Sequence, residues 1–295
     1  MGGNISLQTK TTSVAQRKVT GESRIVRFLL TIIALIYVGI IIIIPLIAVF
    51  AKAFEKGISV YIASISDPMA LAALQLTLIT VAVAVPLNTI FGLAASWAIA
   101  KFEFKGKNIL LTIIDLPFAI SPVIAGLIFV LLFSTNHGLF GSWLSKHNIN
   151  IIFAKPGIIL ATVFVTFPFV ARELIPLMQS QGNSEEEAAL TLGASGWQTF
   201  WKVTLPNIKW ALLYGVILTA ARAAGEFGAV SVVSGHIRGV TNTLPLHVEI
   251  LYNEYKFASA FAVASLLTVV AVINLIVKNI VEWKVSRTLD KQSSI

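Results

Sequence analysis

Six long apolar stretches dominate the chain, and each has the length of a helix that crosses a membrane. They are, in chain order, Phe28–Phe50, Leu76–Ala100, Ile109–Ser134, Gly157–Met178, Trp210–Val233 and Phe257–Ile280. A spanning helix needs about 20 mostly apolar residues, whereas the strands of membrane barrels alternate apolar and polar side chains. Runs such as Ile40–Ile44 are apolar at consecutive positions. The pattern therefore predicts an all-α membrane protein with six transmembrane helices, the first within residues 25–56.

Lysine and arginine are unevenly distributed among the segments that join these stretches. The first tail, the second-to-third loop, the fourth-to-fifth loop and the last span with its tail hold fourteen of the 22 basic residues, whereas the remaining loops hold six. Basic residues concentrate on the cytoplasmic side of membrane proteins. We therefore expect both termini to be cytoplasmic, with polar tails at residues 1–24 and 281–295.

The composition agrees with a membrane protein and excludes several other classes. Apolar residues make up 56% of the 295 and charged residues 12%, against about 45–50% and about 25% in soluble domains. A soluble enzyme, a disordered chain and, with no cysteine, a disulfide scaffold are therefore excluded. The net charge of +8 follows from the basic loops, which lie near anionic membrane lipid. No nucleic acid is needed to explain it.

The fourth-to-fifth loop contains a segment, residues 184–206, with signals for two short helices. Two residue pairs have the capping-box spacing that begins a helix: Ser184 with Glu187, and Ser195 with Gln198. Gly193 is a typical stop for the first helix. Pro206 is expected to end the second, because the residue before a proline is pushed out of the α region. The segment should therefore form a bent pair of helices on the cytoplasmic face.

This segment is also more apolar than a loop in water should be. The apolar side chains that we expect to be exposed are Leu190, Leu192, Trp197, Phe200 and Trp201. Exposed apolar clusters mark contact sites, and tryptophan is common among binding hot spots. Contact with the membrane interface is the alternative. A protein partner is the favoured interpretation, because two capped helices are an elaborate lipid anchor.

The same segment carries a motif that resembles the EAA loop of ABC importer permeases. The motif is Glu187-Ala188-Ala189, then Gly193, Val203 and Leu205-Pro206; the family favours Ile where Val203 stands. The resemblance extends over residues 71–280 and implies a permease domain with the type I ABC importer fold. It also implies that the segment couples to a separate ATPase subunit through Glu187, Ala188, Ala189, Gly193, Trp197, Leu205 and Pro206.

Three further stretches narrow the resemblance. Residues 221–229 are similar to a signature shared by sulfate and molybdate permeases, and residues 115–127 and 168–174 are closer to the sulfate branch. The chain resembles the CysW-type permeases of sulfate/thiosulfate importers in the bacterial inner (plasma) membrane. This implies alternating access, together with a CysT-type permease subunit, two copies of an ATP-binding subunit and an extracytoplasmic sulfate/thiosulfate-binding protein.

Two alternative functions stay open at this point. The 221–229 stretch does not separate sulfate permeases from molybdate or tungstate permeases. A secondary anion transporter that works without ATP is the other alternative, and the capped 184–206 segment argues against it. The chain has no Gly-x-x-x-x-Gly-Lys-Ser/Thr run, so we expect a permease that is no enzyme and binds no cofactor, with ATP and Mg²⁺ on the partner ATPase.

Five ionisable residues fall within or at the edges of the predicted spans: Asp115, Arg172, Glu173, Arg222 and Glu226. Each costs about 2.5–3.5 kcal/mol on insertion scales, and such residues usually face a bundle interior or a water path. Arg222 is expected near mid-bilayer in the fifth span, four residues from Glu226, so the two can pair on one helix face. Its guanidinium suits a tetrahedral anion. An ion pair within the bundle is the favoured interpretation, because Glu226 would neutralise that charge.

Prolines in the third and fourth predicted spans free backbone hydrogen-bonding groups. In the third span, Pro117 and Pro122 free backbone groups on either side of Ser121. Freed amides bind anions in some transporters, whereas kinks that only shape the bundle are the alternative. The candidates for a translocation path or for bundle ion pairs are therefore Asp115, Ser121, Arg172, Arg222 and Glu226. The four histidines, which lack metal-site spacing, are interpreted as surface residues of outer loops: His137, His147, His236 and His247.

Overall fold

The computed structural model describes the backbone of residues 24–292 and the side chains of residues 25–281, and all regular structure in that part of the chain is helical. The predicted tail of residues 1–24 lies almost wholly outside it. The helices are α1 (Arg24–Val38), α2 (Ile44–Ala53), α3 (Ile58–Ile65), α4 (Pro68–Lys101), α5 (Lys107–Ala119), α6 (Pro122–Phe133), α7 (Gly141–Lys146), α8 (Lys155–Thr166), α9 (Pro168–Gln181), α10 (Ser184–Thr191), α11 (Gly196–Thr199), α12 (Leu205–Ala224), α13 (Gly228–Ser234), α14 (Leu244–Asn253) and α15 (Phe257–Gln292).

The chain forms two units, residues 1–48 and residues 49–295. In the first unit, α1 continues through a five-residue π turn, Gly39–Ile43, into the start of α2. The helical stretch Ile25–Ala53 has 29 residues and a mean hydropathy of 3.2. This confirms the first predicted span.

The second unit contains four more helical stretches that are long and apolar enough to cross a membrane: Pro68–Lys101, Lys155–Gln181, Gly196–Ala224 and Phe257–Val281. The pair of α5 and α6 adds a sixth span if the two count together. The six predicted spans are thus recovered, with changed boundaries. The last helix continues to Gln292, so most of the tail predicted at residues 281–295 is helical.

The helix α4 is the central support of the second unit and packs against α8, α9, α12 and α14. It begins at Asp67, whose carboxylate accepts hydrogen bonds from the backbone amides of Met69 and Ala70 at 3.0 and 3.3 Å. Small side chains on one face let neighbouring backbones approach closely. At Gly92, for example, an added Cβ would lie 2.7 Å from the Cβ of Val170 in α9.

The third span is not the single helix that the hydropathy predicted. The axes of α5 and α6 meet at 109°, with the break at Ile120 and Ser121. Both residues have extended backbone angles, and Pro122 is the first residue of α6. A proline disfavours α geometry in the residue before it and suits the first turn of a new helix. Pro122 therefore ends one helix and begins another, whereas Pro117 lies within α5.

The fifth span is displaced towards the N-terminus of its predicted range, Trp210–Val233. The helix begins at Gly196 and ends at Ala224, and the short α13 follows after a break. The helices α13 and α6 pack against each other so closely that an added Cβ at Gly228 would lie 2.9 Å from Pro122. The second halves of both broken stretches therefore lie side by side, a long-range contact that hydropathy does not encode.

Candidate functional site

The first half of the 184–206 segment is α10, and it begins differently from the prediction. Ser184 is already the first helical residue, Asn183 precedes it, and neither side chain makes a capping hydrogen bond. The predicted Ser184–Glu187 capping box is therefore wrong, because Ser184 lies one position too far along the helix to cap it. Glu187 and Ala188 are exposed, and Ala189 is half-buried.

The bend and the second capping box form as predicted. Gly193 has φ +86°, the left-handed conformation that ends helices. The amide of Gln198 donates to Ser195 Oγ at 3.3 Å, and the amide of Ser195 donates to Gln198 Oε1 at 2.9 Å. The turn between the two halves is thus fixed by hydrogen bonds on both of its sides.

Pro206 does not end the second helix, and this prediction is wrong. After α11, a five-residue π turn, Phe200–Thr204, continues directly into α12, and Pro206 lies in the first turn of α12. A proline ring crowds the carbonyl four residues earlier in a regular helix, and a π turn widens the helix before it. The π turn at Gly39–Ile43 is likewise followed by a proline, Pro45. The 184–206 segment therefore continues without interruption into the fifth span.

Four apolar side chains of this segment are exposed. We call them the apolar patch: Leu190, Leu192, Trp197 and Trp201, with exposed fractions of 52%, 89%, 67% and 51%. The fifth predicted member, Phe200, is 8% exposed and packs on Trp97 of α4 with 4.8 Å between ring centroids. The prediction of its exposure was wrong because helical spacing does not show which side of the segment faces the bundle.

Two ion pairs form among the charged residues of the spans. Arg172 Nε donates to Asp115 Oδ1 at 2.8 Å, which joins α9 to α5, and the guanidinium carbon lies 4.2 Å from the ring centroid of Phe118. Both charged side chains are 52% exposed. Glu173 lies on another face of α9, where an added Cβ at Gly215 would be 3.7 Å from its own Cβ.

The second pair, Arg222 with Glu226, lies at the break after α12. Arg222 Nη1 is 2.6 Å from Glu226 Oε2, and the other carboxylate oxygen accepts the amide of Ala229 at 2.9 Å. The pairing agrees with the spacing, but Arg222 lies in the last turn of α12, not in the middle of a span as predicted. Glu226 is buried, and it serves both as the counter-ion of Arg222 and as the cap of α13.

Ser121 is the residue that precedes α6 at the bend. Its side chain is exposed and makes no capping hydrogen bond. Its carbonyl accepts the amide of Ala125 at 3.0 Å. The exposed hydroxyl and the first amides of α6 thus lie together at the break in the third span.

Comparison with known proteins identifies the fold and the family. Residues 88–289 match the family described as "Binding-protein-dependent transport system inner membrane component". The chain belongs to this family. It is 50% identical over 252 residues to the Escherichia coli K12 "Sulfate transport system permease protein CysW", covering 85% of this chain and 86% of the relative. It is 35% identical to the CysT permease of the same organism, over 86% of this chain and 91% of the relative.

The family assignment agrees with the solved structures. A subunit of a bacterial alginate ABC transporter, crystallised with an alginate-bound periplasmic protein, superimposes with a TM-score of 0.74 at 18% identity, over 88% of this chain and 94% of that chain. At that identity the match establishes the fold alone. The membership of an inner-membrane component family, with several apolar helices, makes this a multi-pass membrane protein.

The residues that attach the 184–206 segment to the helix bundle carry no recognisable local sequence pattern. Lys101, at the end of α4, lies 2.8 Å from Glu186 Oε1, and Thr204 donates to the same oxygen at 3.1 Å. Asn207 in α12 donates to Glu185. Lys101 is one of the basic residues counted in the second-to-third loop, and its partner is 85 positions away, so local spacing does not reveal the pair.

The interpretation of the histidines as surface residues is wrong for one of the four. His247 lies in α14 and is 4% exposed. Burial lowers its pKa, against the opposing effect of the Asp67 charge. His247 is thus a packed residue of α14, where burial favours the neutral ring.

Proposed function

We propose that this chain is the transmembrane permease subunit of an ATP-driven sulfate/thiosulfate importer. It translocates the oxyanion into the cytoplasm by alternating access, driven by ATP hydrolysis on a separate subunit. The observation that carries the proposal is the apolar patch on a capped, bent segment that continues into the fifth span without a break. Relatives named as sulfate permeases, at 50% and 35% identity, support the substrate class.

The apolar patch is the surface that docks on the ATPase. Trp197 and Trp201 are in edge-to-face contact at 5.6 Å between ring centroids, so the two rings form one raised surface. Buried aromatic anchors provide most of the binding energy in protein interfaces. Glu187 and Ala188 are exposed in α10 and contribute the rim of the docking surface. Ala189 and Gly193 shape the end of α10 and the bend after it, and Leu205 and Pro206 carry the movement into the first turn of α12.

The partners follow from the same proposal. The second permease subunit is of the CysT type. The 35% identity between this chain and a CysT protein supports this, because two similar permease subunits can form the two halves of one transporter. Two ATP-binding subunits hold ATP and Mg²⁺. One docks at the 184–206 segment of this chain, and the other docks at the corresponding segment of the second permease. An extracytoplasmic sulfate/thiosulfate-binding protein delivers the anion on the opposite face of the inner membrane.

The half-exposed charges are assigned to the translocation path. Arg172 is fixed by Asp115 on one edge and by the Phe118 ring on its face, so its guanidinium is held in one orientation. Ser121, exposed at the bend of the third span, is a second candidate for the path. Arg222 and Glu226 are assigned to the internal support of the bundle, because the Glu226 carboxylate already neutralises Arg222 and accepts the Ala229 amide at the start of α13.

The docking proposal is tested by substituting Trp197→Ala in the full transporter. The loss of a hot-spot side chain weakens binding by about 2 kcal/mol or more, which is roughly thirtyfold at 1.4 kcal/mol per factor of ten. We expect the ATPase subunit to be lost on purification in mild detergent, and ATP-dependent sulfate uptake by membrane vesicles to fall with it.

The matched control is Trp143→Ala, in α7, because Trp143 is a similarly exposed tryptophan at 56%. It should leave both measurements unchanged. Normal ATPase binding by the Trp197 variant, or equal loss in both variants, would contradict the proposal. Uptake that is inhibited by molybdate and unaffected by sulfate would instead establish the molybdate alternative.

A further inference from the structure

The start of α10 belongs to a polar junction of three chain segments. Lys101 Nζ lies 2.8 Å from Glu186 Oε1, and Lys101 also donates to the carbonyl of Gly182. Thr204, in the π turn, donates to the same Glu186 oxygen at 3.1 Å. One carboxylate oxygen thus joins the end of α4, the start of α10 and the π turn that leads into α12.

This junction is unlike the ordinary ion pairs at the surface. The side chain of Lys101 is 7% exposed and that of Glu186 is 16% exposed, whereas Glu103, which pairs with Lys107 nearby, is 90% exposed. Exposed pairs contribute little, but a shielded pair that loses one partner leaves an uncompensated charge. The Lys101–Glu186 contact therefore resists separation far more than its neighbour does.

A second contact on the same face of α4 reaches the other half of the segment. Trp97, one helical turn before Lys101, packs on Phe200 with 4.8 Å between ring centroids. Lys101 therefore holds α10 while Trp97 holds the π turn. The end of α4 contacts both sides of the bend, so a displacement of the segment has to displace α4 as well.

The helix α4 connects this junction to the opposite face of the bundle. It has 34 residues, a length of about 50 Å at 1.5 Å per residue. Near its other end, the hydroxyl of Thr77 accepts the amide of Leu244, the first residue of α14, at 2.8 Å. The helix α4 thus links the 184–206 segment, at one of its ends, to the start of α14 near the other.

We propose that the Lys101–Glu186 ion pair is a positioning contact that transmits the movement of the 184–206 segment to α4 and stays closed throughout the transport cycle. The inference rests on the proposed function, since it concerns how ATPase movement at that segment reaches the bundle. It assigns transmission to Lys101 and Glu186, whose side chains are shielded, and it leaves ATPase docking to the exposed side chains of the apolar patch.

The test compares sulfate transported with ATP hydrolysed in the full transporter reconstituted in lipid vesicles. In Glu186→Gln, the ATPase subunit should co-purify normally, while sulfate transported per ATP falls about fivefold or more, the lower end of the range for coupled sites. The charge-exchanged double variant Lys101→Glu with Glu186→Lys should recover most of that loss. The control Glu103→Gln, in the exposed pair, should behave as wild type.

A second experiment uses the absence of cysteine from the chain. The double variant Lys101→Cys with Glu186→Cys should couple poorly before treatment and regain coupling after a short thiol cross-linker joins the two positions. The same folded protein is compared before and after treatment, so a folding defect cannot produce the recovery.

Three results would overturn the proposal: a wild-type ratio in Glu186→Gln, no recovery in the charge-exchanged variant, or loss of transport on cross-linking. Loss of the ATPase subunit from Glu186→Gln would also overturn it, since the contact would then serve docking. Failure of the docking proposal is distinguishable, because it would appear as normal co-purification of the ATPase subunit with the Trp197→Ala variant, whatever the transport ratio of Glu186→Gln.

Discussion

The two ion pairs of the spans, Arg222–Glu226 and Asp115–Arg172, differ in how much of their side chains is buried within this subunit. In Arg222–Glu226 the carboxylate side chain is 1% exposed and also caps α13. In Asp115–Arg172 both side chains are 52% exposed. Ionised groups within a membrane are too costly to leave against lipid tails. We therefore expect the first pair to support the fold of this subunit, and the second to lie on a surface that a neighbouring subunit or an aqueous path covers.

The largest effect on stability is expected at Glu226. Glu226→Ala removes the counter-ion of Arg222 and the cap of α13, so the free energy of unfolding should fall by about 3 kcal/mol. Glu226→Gln should be intermediate, because its amide oxygen can still accept the Ala229 amide. Thermal unfolding of the purified complex in detergent measures both. If Glu226→Ala lowered the free energy of unfolding no more than the exposed Glu103→Ala does, Arg222–Glu226 would support the fold no better than an exposed pair, and its distinction from Asp115–Arg172 would be lost.

A smaller effect on stability, with a larger effect on transport, is expected at Asp115. In Asp115→Asn the free energy of unfolding should fall by about 1 kcal/mol or less, because both partners are half exposed. The unpaired Arg172 guanidinium should then hold the anion and delay its release, which lowers sulfate uptake by about tenfold, the equivalent of 1.4 kcal/mol. If stability falls as far as in Glu226→Ala while uptake per folded transporter is unchanged, Asp115–Arg172 is a support of the same kind.

The smallest effect is expected at Phe118, whose ring lies under the Arg172 guanidinium. A double-mutant cycle of Phe118→Leu and Arg172→Gln should give a coupling energy of about 0.5–1 kcal/mol, the usual size of a cation–π contact. The cycle cancels the separate contact of Phe118 with Phe169, at 5.3 Å between ring centroids. A coupling energy near zero would show that the ring does not orient the guanidinium.

Several features set by neighbouring residues were predictable from the sequence, although the Ser184–Glu187 capping box and the helix end at Pro206 were predicted wrongly. The Ser195–Gln198 capping box, the helix end at Gly193 and the pairing of Arg222 with Glu226 each depend on residues within four positions of one another. The spans were predictable because membrane thickness fixes the length of an apolar helix.

Features set by packing between distant segments were not predictable in this way. The local sequence does not determine whether Pro122 bends a helix or ends it. At the break, Pro122 packs against Gly228, which is more than 100 positions away along the chain. Phe200 is buried because Trp97 faces it, and Glu186 is shielded because Lys101 reaches it. Local spacing carries no information about such pairs, so Lys101 was missed and Phe200 was assigned to the wrong surface.

The π turn at Phe200–Thr204 has a mechanical consequence for the whole subunit. It lets the helix continue past Pro206, so residues 196–224 form one uninterrupted helical stretch of 29 residues, about 43 Å long. A continuous helix transmits rotation about its axis as well as displacement. A small twist imposed at Trp197 therefore arrives at Ala224, where the helix ends and Glu226 joins it to the start of α13.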